Sequence, residues 1–272
     1  MGKAIYQPTG KAKEYSRWAC NLYVGCSNDC SYCFNKRGVL GTIMGDTVPK
    51  LKTCFKNKQE AFETYMRELK RNRDRIINDG GLLFSFSTDP CLPETLPLTM
   101  ACVSVATGMD IPCQILTKCA QWVLKDGTWT DGMSVSRDLV AVGFTLTGRD
   151  DLEGGASTNM DRIEAMRILH GKGYRTFASI EPVIDFEKSL EMIRLSEPWC
   201  DLFKIGLLSG DRNAYDKYSM SEDLEAFVYE VDELLTIKKK PVYWKKSVRE
   251  RLVTPVTDPC CIDNDYNIFK NN

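Results

Sequence analysis

The chain has 272 residues, 43% of them hydrophobic, and its formal net charge at pH 7 is −1. This length and apolar content suit one large α/β domain with a sizeable core. The near-zero charge disfavours a general nucleic-acid binder, because such proteins are usually clearly basic. Residues 1–8 hold no apolar signal core, and no apolar run reaches the length of a membrane span. The twelve cysteines are therefore expected to be reduced thiols in the cytoplasm.

The first predicted element is a short apolar stretch over residues 18–24, which leads into a loop over residues 25–36. Three cysteines of this loop follow a C-x3-C-x2-C spacing: Cys26, Cys30 and Cys33. A loop this tight can direct three thiolates at one compact inorganic centre. Three thiolates fill three corners of a four-iron cube and leave the fourth iron open, and an open position distinguishes a catalytic metal centre from a closed structural one.

Zinc is the alternative occupant of this loop, and it needs four ligands, usually paired cysteines or histidine. The chain has one histidine, His170, which precedes a glycine at a predicted helix end and is expected to be structural. Cys20 is available as a fourth ligand that would close the site. A non-catalytic iron–sulfur or zinc module that binds a partner therefore stays open. The adjacent Cys260-Cys261 are too close for an ordinary disulfide and too isolated for a second cluster.

With Tyr32 as its aromatic residue, the motif C-x3-C-x-aromatic-C resembles the cluster motif of the radical S-adenosylmethionine (radical SAM) superfamily. The resemblance implies one oxygen-sensitive [4Fe-4S] cluster on the three cysteines, with S-adenosylmethionine (SAM) bound to the open iron. It also implies an external one-electron reductant, such as flavodoxin or ferredoxin, and a 5′-deoxyadenosyl radical that abstracts a hydrogen atom from substrate. In such enzymes the cofactor carries the chemistry and the protein supplies position and shielding.

Beyond the loop, apolar runs typical of buried parallel strands alternate with helical patterns. Segment 35–57 is predicted to be an irregular insertion, and residues 252–272 an irregular tail. Six strands are predicted: 82–86, 113–117, 139–146, 176–180, 202–207 and 241–244. Three helices are predicted: 58–78, a helix capped by Ser157-Thr158 that ends at Gly171, and 221–236.

This alternation predicts an α/β fold with a parallel sheet. Together with the cluster loop it resembles the partial (β/α)6 TIM-like barrel of radical SAM enzymes, with irregular N- and C-terminal extensions. No linker rich in proline, glycine or serine interrupts the pattern. We therefore expect one domain over residues 1–272, with the cluster loop at 25–36 and the barrel core at about 17–246.

Polar residues follow the predicted strands at their carboxyl ends, where (β/α) barrels carry their chemistry. Hydroxyls, carboxylates and a cation suit a zwitterionic methionine and a ribose. The candidate SAM-binding residues are Thr88, Asp89, Lys118, Thr145, Thr147 and Glu181, with Ser209-Gly210 after the next strand. Each one alone also fits a strand-end cap or turn, but their occurrence at successive strand ends favours a binding site. Tyr32 is expected near the adenine.

A narrower resemblance extends over most of the chain. The segments 88–90, 116–118, 154–157 and 162–165 (Thr-Asp-Pro, Leu-Thr-Lys, Gly-Gly-Ala-Ser and Arg-Ile-Glu-Ala) resemble the spore photoproduct lyase branch, whose members are often called DNA repair photolyase-like. This resemblance implies a nucleic-acid substrate. The SAM contacts that it implies are Thr88, Lys118 and Thr145, with backbone contact near Glu181 and Pro182.

One position departs from that branch. The true lyase has a hydrogen-donating cysteine just before the Thr-(Ser)-Asp pair, where this chain has Ser87. A serine O–H bond is too strong to donate a hydrogen atom to a carbon radical. Cys91, four residues later, is the candidate replacement donor, and it is equally a candidate packing thiol.

Two basic stretches bear on the substrate. The one over residues 67–75 is expected to be the solvated face of a helix. The one over residues 238–251 surrounds Tyr243-Trp244, a combination suited to base stacking with phosphate contacts. Its candidate phosphate contacts are Lys245, Lys246 and Arg249. The chain is thus predicted to be a radical SAM enzyme acting on a nucleic acid or, in the alternative, on a peptide, a tRNA or a small molecule.

Overall fold

The computed structural model describes residues 3–125, 136–208 and 224–270. Its main feature is an eight-stranded sheet with one antiparallel pair at its edge and parallel neighbours from there on. In spatial order its strands are β1 Ile5–Tyr6, β2 Ala19–Cys20, β5 Leu82–Phe84, β6 Cys113–Thr117, β7 Val140–Thr145, β8 Arg175–Val183, β9 Leu202–Leu207 and β10 Val242–Trp244. A separate antiparallel pair joins β3 Tyr23–Val24 to β4 Lys50–Leu51.

Helices occupy the connections between successive parallel strands, because a parallel pair needs a long crossover. They are α1 Gly38–Met44, α2 Lys58–Asn78, α3 Leu96–Thr107, α4 Gln121–Leu124, α5 Asn159–Gly171, α6 Phe186–Ser196 and α7 Leu224–Ile237, and a last helix, α8 Lys246–Arg249, follows β10. Within the described ranges the chain therefore forms six strand–helix units, from β2–α2 to β9–α7, followed by β10. The predicted partial (β/α)6 barrel is confirmed.

Side-chain caps set the starts of several helices. At α2, the Asn57 side chain accepts a hydrogen bond from the N–H of Glu60, and at α5, Thr158 accepts one from Asp161. Asp185 caps α6 in the same way. These bonds satisfy N–H groups that have no partner within the helix. The predicted starts of the first two helices are confirmed.

The six predicted strands are confirmed, with ends that differ by at most three residues. The prediction of an irregular insertion over 35–57 is wrong for two parts of it: α1, and β4, which pairs with β3. The helices α3, α4, α6 and α8 have no counterpart among the predictions. For the predicted helix 221–236, residues 221–223 lie outside the described residues, and the remainder is confirmed as α7.

The core lies between the sheet and its helices, and the tail covers part of the sheet. Ile268 of the tail packs against Ala141, Phe177 and Leu202, which are all buried. As far as residue 270 the tail has no regular helix or strand, as predicted, apart from one bridge between Cys261 and Val242. Within the described ranges, none of the helices combines the length and the apolar character needed to cross a membrane.

Candidate active site

A cavity of about 460 Å³ lies at the carboxyl ends of the parallel strands. Nine of the predicted site residues are in its lining: Cys26, Cys30, Tyr32, Cys33, Thr88, Asp89, Lys118, Thr145 and Glu181. Residues as far apart in the chain as Cys26 and Glu181 reach one volume because parallel strands end at the same edge of a sheet. The expected convergence of the cluster loop and the strand ends is therefore present.

Two predicted site residues are not in that lining. Thr147 is 0% exposed, and its hydroxyl accepts the backbone N–H of Arg149 at 3.2 Å, so it acts as a turn residue. Cys91 is 1% exposed, and its own N–H donates to the carboxylate of Asp89 at 2.9 Å. The geometry supports neither the SAM contact predicted for Thr147 nor the hydrogen-donor role predicted for Cys91. Ser209-Gly210 lies outside the described residues.

The segment around β4 holds the cluster loop through backbone contacts. Gly25 has a φ of +79°, a left-handed conformation that glycine adopts without steric cost. A Cβ at this position would lie 2.5 Å from the carbonyl oxygen of Val48. The N–H of Cys26 donates to the carbonyl oxygen of Asp46 at 2.9 Å. The backbone of the first candidate ligand is therefore fixed by a part of the chain predicted to be irregular.

A second segment, residues 150–157, contacts the same loop. The N–H of Ser31 donates to the carbonyl oxygen of Leu152 at 2.9 Å, and the N–H of Gly155 donates to that of Asn28 at 3.0 Å. A Cβ on Gly155 would overlap the carbonyl oxygen of Ser27. Glycine at 155 is what allows the two backbones to approach so closely.

Asp89 connects the cluster loop to the ends of β5 and β6. Its carboxylate accepts hydrogen bonds from the Asn28 amide at 2.7 Å, the Thr117 hydroxyl at 2.6 Å and the Lys118 backbone N–H at 2.7 Å. With the N–H of Cys91, these donors engage both carboxylate oxygens. Asp89 thus positions the groups around it, and its carboxylate has less capacity left for the SAM contact expected from the sequence.

Glu153 is a buried site residue that the sequence reasoning missed. Its carboxylate accepts a 2.5 Å hydrogen bond from the fully buried Arg162, and it also accepts one from the Tyr32 hydroxyl. The ammonium of Lys118 lies 3.8 Å from this carboxylate and 5.3 Å from the centre of the Tyr32 ring. Burial, reinforced by the Glu153 charge, raises the pKa of Tyr32 well above its usual value, so the hydroxyl stays protonated and donates. Glu153 therefore holds two predicted SAM-binding side chains together.

Tyr15, Glu181 and Lys245 form a second polar group in the cavity lining, in which Lys245 is buried and the other two are half-buried. The Tyr15 hydroxyl hydrogen-bonds the Glu181 carboxylate and lies 2.6 Å from the hydroxyl of Ser179. Lys245 pairs with the same carboxylate and is 1% exposed. Its charge is therefore balanced inside the fold, so the predicted phosphate contact at Lys245 has no support from the structure. Tyr15 precedes the predicted strands and was missed by the strand-end reasoning.

Two solved structures share this architecture. A spore photoproduct lyase variant with bound AdoMet (SAM) and a dinucleoside spore photoproduct matches with a TM-score of 0.62 at 15% identity, covering 88% of this chain and 78% of the lyase chain. SuiB of Streptococcus suis bound to S-adenosylmethionine matches with a TM-score of 0.54 at 14% identity, covering 83% of this chain and 49% of SuiB. Both are radical SAM enzymes. The chain has the radical SAM fold.

Comparison of sequences identifies the radical SAM fold of this chain less clearly than comparison of structures does. An uncharacterized protein of Methanocaldococcus jannaschii is 22% identical in an alignment of 249 positions that covers 84% of this chain and 88% of that protein. No protein-family model matches the sequence. The similarity of this chain to known proteins is therefore clearer in three-dimensional structure than in sequence.

The donor set of the cluster loop fits the cluster that the radical SAM fold implies. Within the described ranges the cavity lining contains three cysteines, and Cys20, the candidate closing ligand, is 1% exposed and outside it. Three thiolates suit three irons of a cube with the fourth iron open, whereas a closed zinc site needs a fourth protein ligand.

The electrostatic state of these thiols is set by their burial. Desolvation raises the pKa of Cys26 to about 12 and also raises that of Cys30, where the nearby Lys118 opposes the rise. Cysteine binds metal as the thiolate, so binding a cluster in the radical SAM fold would release protons. The positive charge of the iron would stabilise the buried thiolates. His170 lies outside the cavity lining, 3.7 Å from the Asp201 carboxylate, in keeping with its predicted structural role.

Proposed function

We propose that this protein is a radical SAM enzyme that holds a [4Fe-4S] cluster on Cys26, Cys30 and Cys33 and binds SAM in the cavity above the sheet. One observation carries the proposal: the three thiols and the polar strand-end residues line a single cavity in the radical SAM fold. When bound, the cluster and SAM supply a 5′-deoxyadenosyl radical for hydrogen abstraction. A closed zinc or iron–sulfur module has no need of a polar cavity of this kind.

The side chains around the cavity would hold SAM at its charged ends. Lys118 supplies the cation for the methionine carboxylate, with Glu153 and Tyr32 keeping it in place. The side-chain oxygen of Asn28 is buried in the lining without a hydrogen-bond partner, so it is available to accept from the methionine amino group. Thr145 offers a hydroxyl on the same wall.

Anaerobic reconstitution tests the proposed cluster. We expect about four iron and four sulfide per chain, and formation of 5′-deoxyadenosine from SAM with dithionite as reductant, or with flavodoxin or ferredoxin as the proposed cytoplasmic donor. The Cys30→Ala variant should lose iron and SAM cleavage, while Cys54→Ala should keep both because Cys54 is exposed and outside the lining. Bound zinc in place of iron, or an EPR spectrum of the reduced cluster that is unchanged by SAM, would contradict the proposal.

For the substrate we propose a nucleic acid, supported by residues at the cavity that differ from those expected. Phe34 is 52% exposed and shares the lining with Lys11. An exposed aromatic ring near a cation suits base stacking with a phosphate contact. The lyase that shares the fold has a dinucleoside photoproduct bound. Its lesion reaction is not proposed here, because Ser87 replaces the donor cysteine and is buried, donating its hydroxyl to the Tyr23 carbonyl at 2.6 Å.

Salt-dependent binding of short DNA and RNA strands tests the proposed substrate class. Phosphate contacts release counterions, so affinity should fall steeply as salt rises. Phe34→Ala should weaken binding by about 1–3 kcal/mol, whereas Tyr229→Ala should not, since Tyr229 is an exposed aromatic residue outside the lining. Lack of salt-sensitive binding would favour the alternative of a peptide or small molecule, and SuiB, with its precursor peptide SuiA bound, has the same fold with a TM-score of 0.54.

A further inference from the structure

A second group of metal-ligating side chains lies at the β10 edge of the sheet. The ligand atoms of Asp232, Cys260 and Cys261 all lie within 4.8 Å of one another. Asp232 is 5% exposed and Cys260 is 8% exposed. These three residues are not in the lining of the cavity described above. The two cysteines are adjacent in the sequence, and the fold brings the Asp232 carboxylate of α7 next to them.

Three elements of the fold build this group. Asp232 lies on α7, and the indole N–H of Trp244 on β10 donates to its carboxylate at 3.0 Å. The tail runs beside β10, where the N–H of Val242 donates to the Cys260 carbonyl at 2.9 Å and the N–H of Ile262 donates to the Val242 carbonyl at 3.0 Å. Backbone pairing on both sides of Cys261 therefore fixes the two cysteines next to α7.

The spacing of the ligand atoms matches a tetrahedral zinc ion. The sulfur of Cys261 lies 3.7 Å from Oδ1 of Asp232. Bonds of about 2.3 Å to sulfur and 2.1 Å to oxygen place two tetrahedral ligands roughly 3.6 Å apart. A buried carboxyl group and two thiols so close together form a donor set suited to zinc.

We propose that Asp232, Cys260 and Cys261 bind one zinc ion, which fastens the tail to β10 and α7. Sulfur ligands select zinc over magnesium or calcium. On binding, each of the two thiols loses its proton to solvent and becomes a thiolate ligand. The Trp244 hydrogen bond orients the Asp232 carboxylate from outside the site.

Metal analysis of the full-length protein under reducing conditions tests this site. A companion variant with Cys26→Ala, Cys30→Ala and Cys33→Ala removes the cluster loop as a competing ligand. We expect about one zinc per chain in both proteins. Cobalt(II) added to the metal-free companion should give thiolate-to-cobalt charge-transfer absorption. Failure of both proteins to bind zinc and cobalt would overturn the proposal.

Matched substitutions locate the ion. Cys261→Ser and Asp232→Asn should each weaken zinc binding by about tenfold or more, whereas Cys54→Ser at an exposed cysteine should leave it unchanged. Asp232→Asn keeps an acceptor for Trp244, so it decides the question even where the serine variant does not fold. Zinc should raise the melting temperature of the unaltered protein and not that of Asp232→Asn. Zinc binding that survives both substitutions would overturn the proposal. The iron content of the cluster loop is measured separately, so this test does not depend on the proposed cluster.

Discussion

Lys118 is the cation among the predicted SAM contacts, and its substitution tests the proposed SAM site directly. We expect Lys118→Ala to weaken SAM binding about ten- to hundredfold, because a charge-assisted hydrogen bond contributes roughly 1.5–3 kcal/mol. Iron content should stay unchanged, since Lys118 is not a cluster ligand. Isothermal titration with SAM measures the effect, and Lys56→Ala, outside the lining, is the control. Equal affinities in the two variants would remove Lys118 from the SAM site.

The Glu153–Arg162 pair makes a second prediction, about stability. Both side chains are fully buried, so Glu153→Gln leaves an uncompensated guanidinium charge in the interior, which costs about 3–5 kcal/mol. The exposed pair of Glu164 and Arg167 provides the matched control, and Glu164→Gln should change the free energy of unfolding little. Urea unfolding measures both. Similar small losses for the two variants would show that the buried charge finds another partner.

Individual residues were predictable where they end or directly follow a buried strand. Thr145 ends β7 and Lys118 follows β6, and such strand ends are visible as the point where an apolar run stops. Glu153 and Tyr15 were not predictable, because their roles depend on partners far away in the chain. The hydrogen bond from Tyr32 to Glu153 spans 121 positions, and that from Tyr15 to Glu181 spans 166. No local pattern records such contacts.

At the scale of elements, the cluster loop depends on a neighbouring loop as much as on its own motif. Gly155→Ala adds a Cβ that would overlap the Ser27 carbonyl, and the cluster loop must shift to admit it. We expect a large loss of iron incorporation during anaerobic reconstitution. Gly154→Ala is the adjacent control, because a Cβ there meets no atom within 4 Å. Equal iron content in the two variants would show that the loop adapts without losing its ligand geometry.

The elements were predicted to the extent that they carry a periodic or continuous apolar signal. The parallel strands are buried on both faces and read as unbroken apolar runs, so their positions were correct. Helix α3 is also buried over most of its surface, and without a polar face it lacks the stripe that reveals a helix. The two-residue strands β3 and β4 are too short to show any period. These strands are recognisable only from their pairing with each other in the structure.

At the scale of the whole molecule, Lys204 couples folding to pH. Burial, with a smaller effect of the nearby Lys245, lowers the pKa of Lys204 to about 7. The unfolded chain therefore binds more protons than the folded one between about pH 7 and its unfolded value of 10.5, and stability rises with pH across that window. Lys204→Met removes this effect. In urea unfolding from pH 7 to 9, the free energy of unfolding of the unaltered protein should rise relative to that of the variant by up to about 1.4 kcal/mol per pH unit. A difference in free energy that does not change with pH would contradict this prediction.

The fold class was predictable for the whole chain because strand–helix alternation and a cysteine motif near the start of the chain agree with each other. The shape of the substrate site was less so. Lys245 was expected to face phosphates from its basic neighbourhood in the sequence, yet its partner Glu181 comes from a different strand and neutralises it. The distribution of charged residues along the sequence does not show which basic side chains become buried in the fold.

The clamping of the cluster loop between residues 46–48 and 152–155 has a consequence for biosynthesis. The three thiols leave the ribosome early, but the segment that presses on them from Leu152 to Gly155 is made later. At ~5–20 residues per second, the interval between Cys33 and Gly155 is roughly 6–24 s. During that time the nascent loop has the motif without its final shape. We expect iron–sulfur delivery to be post-translational, or at least to follow the emergence of Gly155, and chains truncated before this residue to acquire no stable cluster.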